Sequence, residues 1–85
     1  MYSKGQVVFS KKGRDKSLPF IVVDFDETYV YLADGKVRLL AKPKKKKIIH
    51  VQMCCDIIEE IKFKLENNLY LEDADLRKAL KPYRH

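Results

Sequence analysis

Apolar and polar positions alternate in short runs over the first two thirds of the chain, and then the period changes. Gln6–Ser10, following Gly5, is β-branched and aromatic and predicts a first strand. Residues 11–17 are polar and centred on Gly13, so they predict a loop that Pro19 ends. Residues 20–25 predict a second strand, with Ile21, Val23 and Phe25 on one face. A turn within residues 26–28 leads to Tyr29–Ala33, a third strand by the same alternation. Asp34-Gly35 suits a two-residue type I′ hairpin, which needs positive φ at both positions. It leads into a fourth strand over residues 37–41, which Pro43 terminates by removing a donor. Residues 48–53 predict a fifth strand, and residues 1–4 read as a loose start.

The period lengthens after residue 55. Ile57, Ile58, Ile61 and Leu65 recur at three and four residues and predict an amphipathic helix over residues 56–68. Asp56 is its expected N-cap, Asn67-Asn68 its stop, and Glu60 with Lys64 a supporting i, i+4 pair. Asp73 or Asp75 would cap a second, shorter helix through Leu76 and Leu80 that ends near Pro82. The pattern predicts a mainly β fold. Its core is a small five-stranded SH3-like barrel over residues 1–55, with a short C-terminal α-helical appendage, residues 56–85, packed on it. A five-stranded OB-fold is the second candidate, but it usually has a longer chain and a helix between strands.

Composition sharpens this. Eighty-five residues make one small module that buries roughly 60–65% of its unfolded surface, so the core is thin. A hydrophobic fraction of 46%, with five tyrosines and four phenylalanines, excludes a disordered tail. The net charge of +6 and pI of about 9.4 place the chain among candidate nucleic-acid binders. The excess is local. Residues 1–55 carry 12 Lys/Arg against 5 Asp/Glu, whereas residues 56–85 carry 6 against 7. That asymmetry points to a binding face rather than to general solubility.

The classes of chemistry left out are as informative. The chain has no Ser/His/Asp or Cys/His arrangement, no phosphate-binding glycine loop and no CxxC, so no enzyme activity, metal, cofactor or small-molecule substrate is expected. Asp24, Asp26 and Glu27 read as surface acids at a turn, and His50 as an edge-strand residue. Cys54 and Cys55 are adjacent, which disfavours a mutual disulfide and suits reduced thiols in the cytoplasm. No apolar run approaches the roughly 18 residues of a membrane-spanning helix, so no membrane partner is expected.

Two basic stretches carry the functional expectation. Lys44–Lys47 follows Pro43 and precedes Ile48-Ile49, reading as a proline-stiffened loop between strands. Four adjacent ammonium groups repel one another, so they make sense against a dense negative partner. Lys11, Lys12, Gly13, Arg14 and Lys16 form the second stretch, where backbone N–H groups near Gly13 suit a phosphate. Both loops at one end of the barrel would make a positive concavity. Tyr29 and Tyr31 share one strand face and suit either the barrel wall or a platform for unpaired bases.

Gly5-Gln6-Val7-Val8, Ser10 through Lys16, Val22-Val23, Asp34-Gly35-Lys36, Arg38, Lys42-Pro43-Lys44-Lys45-Lys46-Lys47 and His50 together resemble the KOW-motif RNA-binding proteins. The pattern over residues 5–52 is most similar to archaeal and eukaryotic large-subunit ribosomal proteins of the fourteen-e type and their short bacterial relatives. The resemblance implies an SH3-like barrel whose loops grip structured RNA, usually ribosomal RNA. By position Gly13 matches the motif glycine. Arg14 and Lys16 match the family's basic loop, and Lys36, Arg38, Lys42, Lys44, Lys45, Lys46 and Lys47 match its second basic segment. The expected function is an RNA-binding module of the translation apparatus, with the C-terminal helix as a further contact to ribosomal proteins. The competing expectation is a protein-interaction barrel, similar to the KOW domains of transcription elongation factors, docking on RNA polymerase or a ribosomal protein.

Overall fold

The alternation is realised as one five-stranded antiparallel sheet that curls into a half-barrel, followed by two short helices. The computed structural model describes residues 2–14 and 16–84, without the side chain of Cys55. Asp15 of the first basic stretch and the expected Cys55 thiol lie outside the described residues. Strands β1 (Gln6–Ser10), β2 (Pro19–Phe25) and β3 (Tyr29–Ala33) form a meander, with β4 (Lys44–Lys47) on the far side of β3 and β5 (Val51–Ile57) beside β1. The spatial order β4-β3-β2-β1-β5 leaves the lysine strand and β5 at the two edges.

Both faces of the sheet are packed, which is how so short a chain finds a core. Val8, Phe20, Val22, Val30, Leu32 and Val51 cluster on the inner face of the curl, with Tyr2 and Ile48 against them. Tyr2 is thus half-buried against the core, so residues 2–4 are not the loose start expected. Val7, Ile21 and Ala33 point the other way and meet Ile61 of α1 (Glu59–Glu66) and Leu76 and Leu80 of α2 (Asp73–Leu80). Burying side chains of this size contributes about 1.5–3 kcal/mol each. The helices' apolar stripe is therefore covered by the sheet. A division at residue 55 falls inside β5, whose ladder with β1 runs on to Ile57.

Several local expectations need correction. Residues 37–41 form no strand, and Asp34-Gly35 is not a type I′ hairpin. Gly35 has φ of +77°, but Asp34 does not take positive φ. Asp34, 2% exposed, instead accepts the backbone N–H groups of Lys36, Val37 and Arg38 on Oδ1 at 3.0, 2.9 and 2.8 Å. Those donors are withdrawn from any ladder, and Val37 and Leu39 are left exposed. Consequently the lysine run is no loop. The long connection delivers it to the edge of β3, where it pairs as β4.

The third correction concerns residues 48–53. Ile48–His50 is a 3-10 turn, and the strand starts at Val51 and consumes Asp56 and Ile57. Pairing with β1 outcompetes the helical period there, and Ile58 N–H continues it by donating to Gly5 O at 2.9 Å. Helix α1 therefore begins at Glu59 with Ile58, not Asp56, at its N-cap, though Asn67 ends it as expected. Glu72 rather than Asp73 or Asp75 caps α2, with Asp75 completing a capping box. The fourth is a bulge between Val22 and Asp24, which places Phe25 opposite Val30 and takes it off the face shared by Ile21 and Val23.

Candidate nucleic-acid interface

Period-two geometry divides the four lysines of β4 between the two sides of the sheet. Lys45 and Lys47 pair with Tyr31 and Tyr29, whereas Lys44 and Lys46 pair with Leu32 and Val30. Lys45 leans diagonally across the ladder, placing Nζ 4.2 Å from the centre of the Tyr29 ring. This is a cation–π contact worth about 0.5–1 kcal/mol at an exposed site. Asp26 closes the β2–β3 turn by accepting the N–H groups of Thr28 and Tyr29 at 2.8 and 2.7 Å. Those two hydrogen bonds, with the Lys45 charge behind them, hold its carboxyl below the usual range.

Lys46 behaves differently. It is half-buried, and its Nζ donates to Ser10 Oγ and to the Lys12 carbonyl, both at 2.6 Å. Ser10 is 3% exposed and also donates to Lys12 O at 2.9 Å. Lys46 thus clasps β4 to the end of β1 across the mouth of the curl, and draws the first basic loop against the lysine strand. Gly13 takes φ of +85°, and a β-carbon there would lie 3.7 Å from Lys46 Nζ. The loop is pinned further by Lys11 N–H donating to His50 O at 2.8 Å and Ser17 N–H to Ser10 O at 2.8 Å. His50 senses the gathering. Partial burial first, and then the charges of Lys12, Lys47, Lys46 and Lys11, push its imidazole below the usual 6.5.

The residues singled out in the sequence therefore fall into three groups. Lys11, Lys12, Gly13, Lys46 and Lys47 converge around His50 at one end of the sheet, with Arg14 and Lys16 exposed on the same loop. Arg38, Lys42, Lys44 and Lys45 share a depression at the other end of β4. Lys36 stands apart, in a depression with Gly35, Leu39, Arg77, Lys81 and Arg84. Arg77, Lys81 and Arg84 escaped notice because the segment is acidic in sum. No local period signalled them, because α2 ends at Leu80 and only the turn after it brings Lys81 and Arg84 beside Arg77.

Among the described residues no group of three or more His, Cys, Asp or Glu converges as a metal site, and no helix is long and apolar enough to cross a membrane. Cys54 is a free, half-buried thiol against the helix-side cluster. In comparisons with known proteins, no family model matches the chain and no curated protein is similar to it.

Proposed function

We propose that this protein is an RNA-binding module of KOW type, acting in the cytoplasm as a binder rather than an enzyme. Structured RNA, ribosomal RNA above all, is its partner in the translation apparatus. The observation that carries the reading is the Lys46 clasp, which holds the first basic loop against the lysine strand although Lys12 and Lys46 are 34 residues apart in sequence. Lys11, Lys12, Arg14, Lys16, Lys44, Lys45 and Lys47 supply the charge, Tyr29 and Tyr31 the apolar floor beside it. Phosphates set the affinity of such a surface and backbone shape its selectivity, so folded RNA is preferred to DNA where 2′-hydroxyls are read. The competing partner reading is weakened by Ile61, Leu76 and Leu80, which spend the helices' apolar face on the protein's own sheet.

The test is the salt dependence of binding to a ribosomal-RNA hairpin. With about five phosphates neutralised, log K falls against log salt with a slope of roughly −3.5 to −4.5. Lys44→Gln, Lys45→Gln and Lys47→Gln together flatten it by about 2–3 units. An unchanged slope removes the strand from the interface. The His50 imidazole adds a second readout, because RNA phosphates offset the surrounding ammonium charges and raise its pKa in an NMR titration.

A further inference from the structure

The depression at the foot of α2 collects four cations. Lys36 comes from the 34–43 connection, Arg77 from α2, Lys81 from the turn after it and Arg84 from the residue beyond. None of the residues that line it is acidic. Asp34 lies beneath, with its Oδ1 taken up by three backbone N–H groups, and Asp73 beside Gly35 accepts the Leu40 N–H on its own Oδ1. Asp34 also pairs across the depression. Its Oδ2 stands 3.6 Å from an Arg84 terminal nitrogen. That ion pair does not exhaust the guanidinium. Arg84 Nε and NH2 are enclosed and make no hydrogen bond among the described residues. The four cations thus still outnumber the two neighbouring acids, Asp34 and Asp73, and Lys36, Arg77 and Lys81 are exposed.

The position of the depression matters as much as its charge. Leu39 lines it and also lines the neighbouring depression that holds Arg38, Lys42, Lys44 and Lys45. The two are contiguous, so cationic surface runs from the lysine strand over the 34–43 connection to the C-terminal helix. The site is also built rather than floppy. A β-carbon on Gly35 would lie 2.1 Å from Asp73 O, so the connection is pressed directly on α2. Arg77 Nη1 donates to Gly35 O at 2.7 Å, and Leu40 N–H donates to Asp73 Oδ1 at 2.8 Å.

We propose that Lys36, Arg77, Lys81 and Arg84 form a second phosphate-binding site, which takes the sugar–phosphate backbone of the same RNA as it leaves the lysine strand. The proposal rests on the RNA-binding reading and extends its footprint onto the segment whose net charge is negative. Phosphodiester oxygens suit the site because Lys36 and Lys81 offer exposed point charges and Arg77 the part of its fork that Gly35 O does not occupy, with the Arg84 charge behind them.

Four proteins decide it on one ribosomal-RNA hairpin: the native chain, Lys36→Gln with Lys81→Gln, Arg77→Lys, and the triple β4 variant. Lys36 and Lys81 are chosen because both are exposed, and Arg77→Lys is added as a variant that keeps charge and changes the fork. The expected result is a slope flattened by about 1.4–1.8 units for the double variant, with an unchanged melting temperature. Arg77→Lys weakens binding several-fold without changing the slope. A native slope in the double variant, while the β4 variant still flattens, overturns the second site and leaves the RNA reading standing. Flattening in the double variant alone keeps RNA binding at this site, removes the lysine strand from the interface and overturns a footprint that runs between the two. No salt-dependent binding by the native chain removes both.

Discussion

Lys46→Met separates a structural lysine from its three binding neighbours. The substitution keeps the length of the stem and removes the ammonium that donates to Ser10 Oγ and Lys12 O. A hydrogen bond from a charged donor contributes about 1.5–3 kcal/mol when desolvated. Lys46 is only half-buried, and Ser10 Oγ keeps its bond to the Lys12 carbonyl, so the two contacts together are discounted to about 1–3 kcal/mol. In a domain of this size each kcal/mol moves Tm by about 4–8 °C, which predicts a drop of about 4–24 °C. Lys45→Met, losing one exposed cation–π contact, costs about 0.5–1 kcal/mol. Thermal melts followed by circular dichroism measure both. RNA titrations over a salt series then complete the contrast, with Lys46→Met flattening the slope less than Lys45→Met does. Equal melting temperatures for the two variants, or a larger slope change for Lys46→Met, would refute the clasp.

Gly35→Ala puts a β-carbon 2.1 Å from Asp73 O at a φ of +77°, so the connection must lift off α2. A loss of about 2–4 kcal/mol in urea denaturation is expected, and a loss under 0.5 kcal/mol rules out this close approach. Tyr83, whose hydroxyl donates to Asp56 Oδ2, has its ionisation pushed up to about 12 by that bond, then by burial and the carboxylate charge. Its raised native pKa means that its contribution to stability is complete below pH 10 and disappears as pH rises towards 12. An ultraviolet titration should show tyrosine ionisation extending to about pH 12, and Asp56→Asn should remove that last step.

The strands that pair early in the chain were legible because local pattern and tertiary need agree there. Gln6–Ser10 and Tyr29–Ala33 carry alternating bulky residues between clear turn signals, and they form as read. The fourth strand was not legible, because Asp34 decides it through its side chain. An Asp before a glycine suits both a hairpin and an acceptor for the next three N–H groups, and only the docking of α2 on Gly35 selects the second. Leu39 and Leu40 carry strand-like hydrophobicity, yet Leu40 is used to hold the connection to Asp73. The boundary of α1 failed for a related reason. Residues 56 and 57 satisfy a helical period, but the free edge of β1 reaches them first. Both basic stretches were visible as composition. Their meeting through Lys46, and the row Arg77, Lys81 and Arg84 opposite Lys36, depend on packing that no local pattern encodes.

Four consecutive lysines are an improbable strand, and what makes them one also decides which of them bind. On a strand, adjacent lysines point to opposite faces, and those on the same face stand about 7 Å apart. At that distance two charges in water repel by about 0.6 kcal/mol, less with salt, which four ladder pairs with β3 outweigh. An edge is where such a strand is tolerated, since its charges also discourage a sixth strand from adding to the sheet. Lys46 is then drawn inward by Ser10 and Lys12, Lys45 and Lys47 are left on the tyrosine face, and Lys44 on the rim with Arg38 and Lys42. The charge that blocks pairing by another strand is thus displayed as two rows rather than one, along the route towards Lys36 and Lys81. A polyanion lying along the edge relieves the residual repulsion, so phosphate binding should raise the stability of β4 more than that of β2. Hydrogen exchange at the amides of residues 44–47, with and without RNA, would show this difference directly.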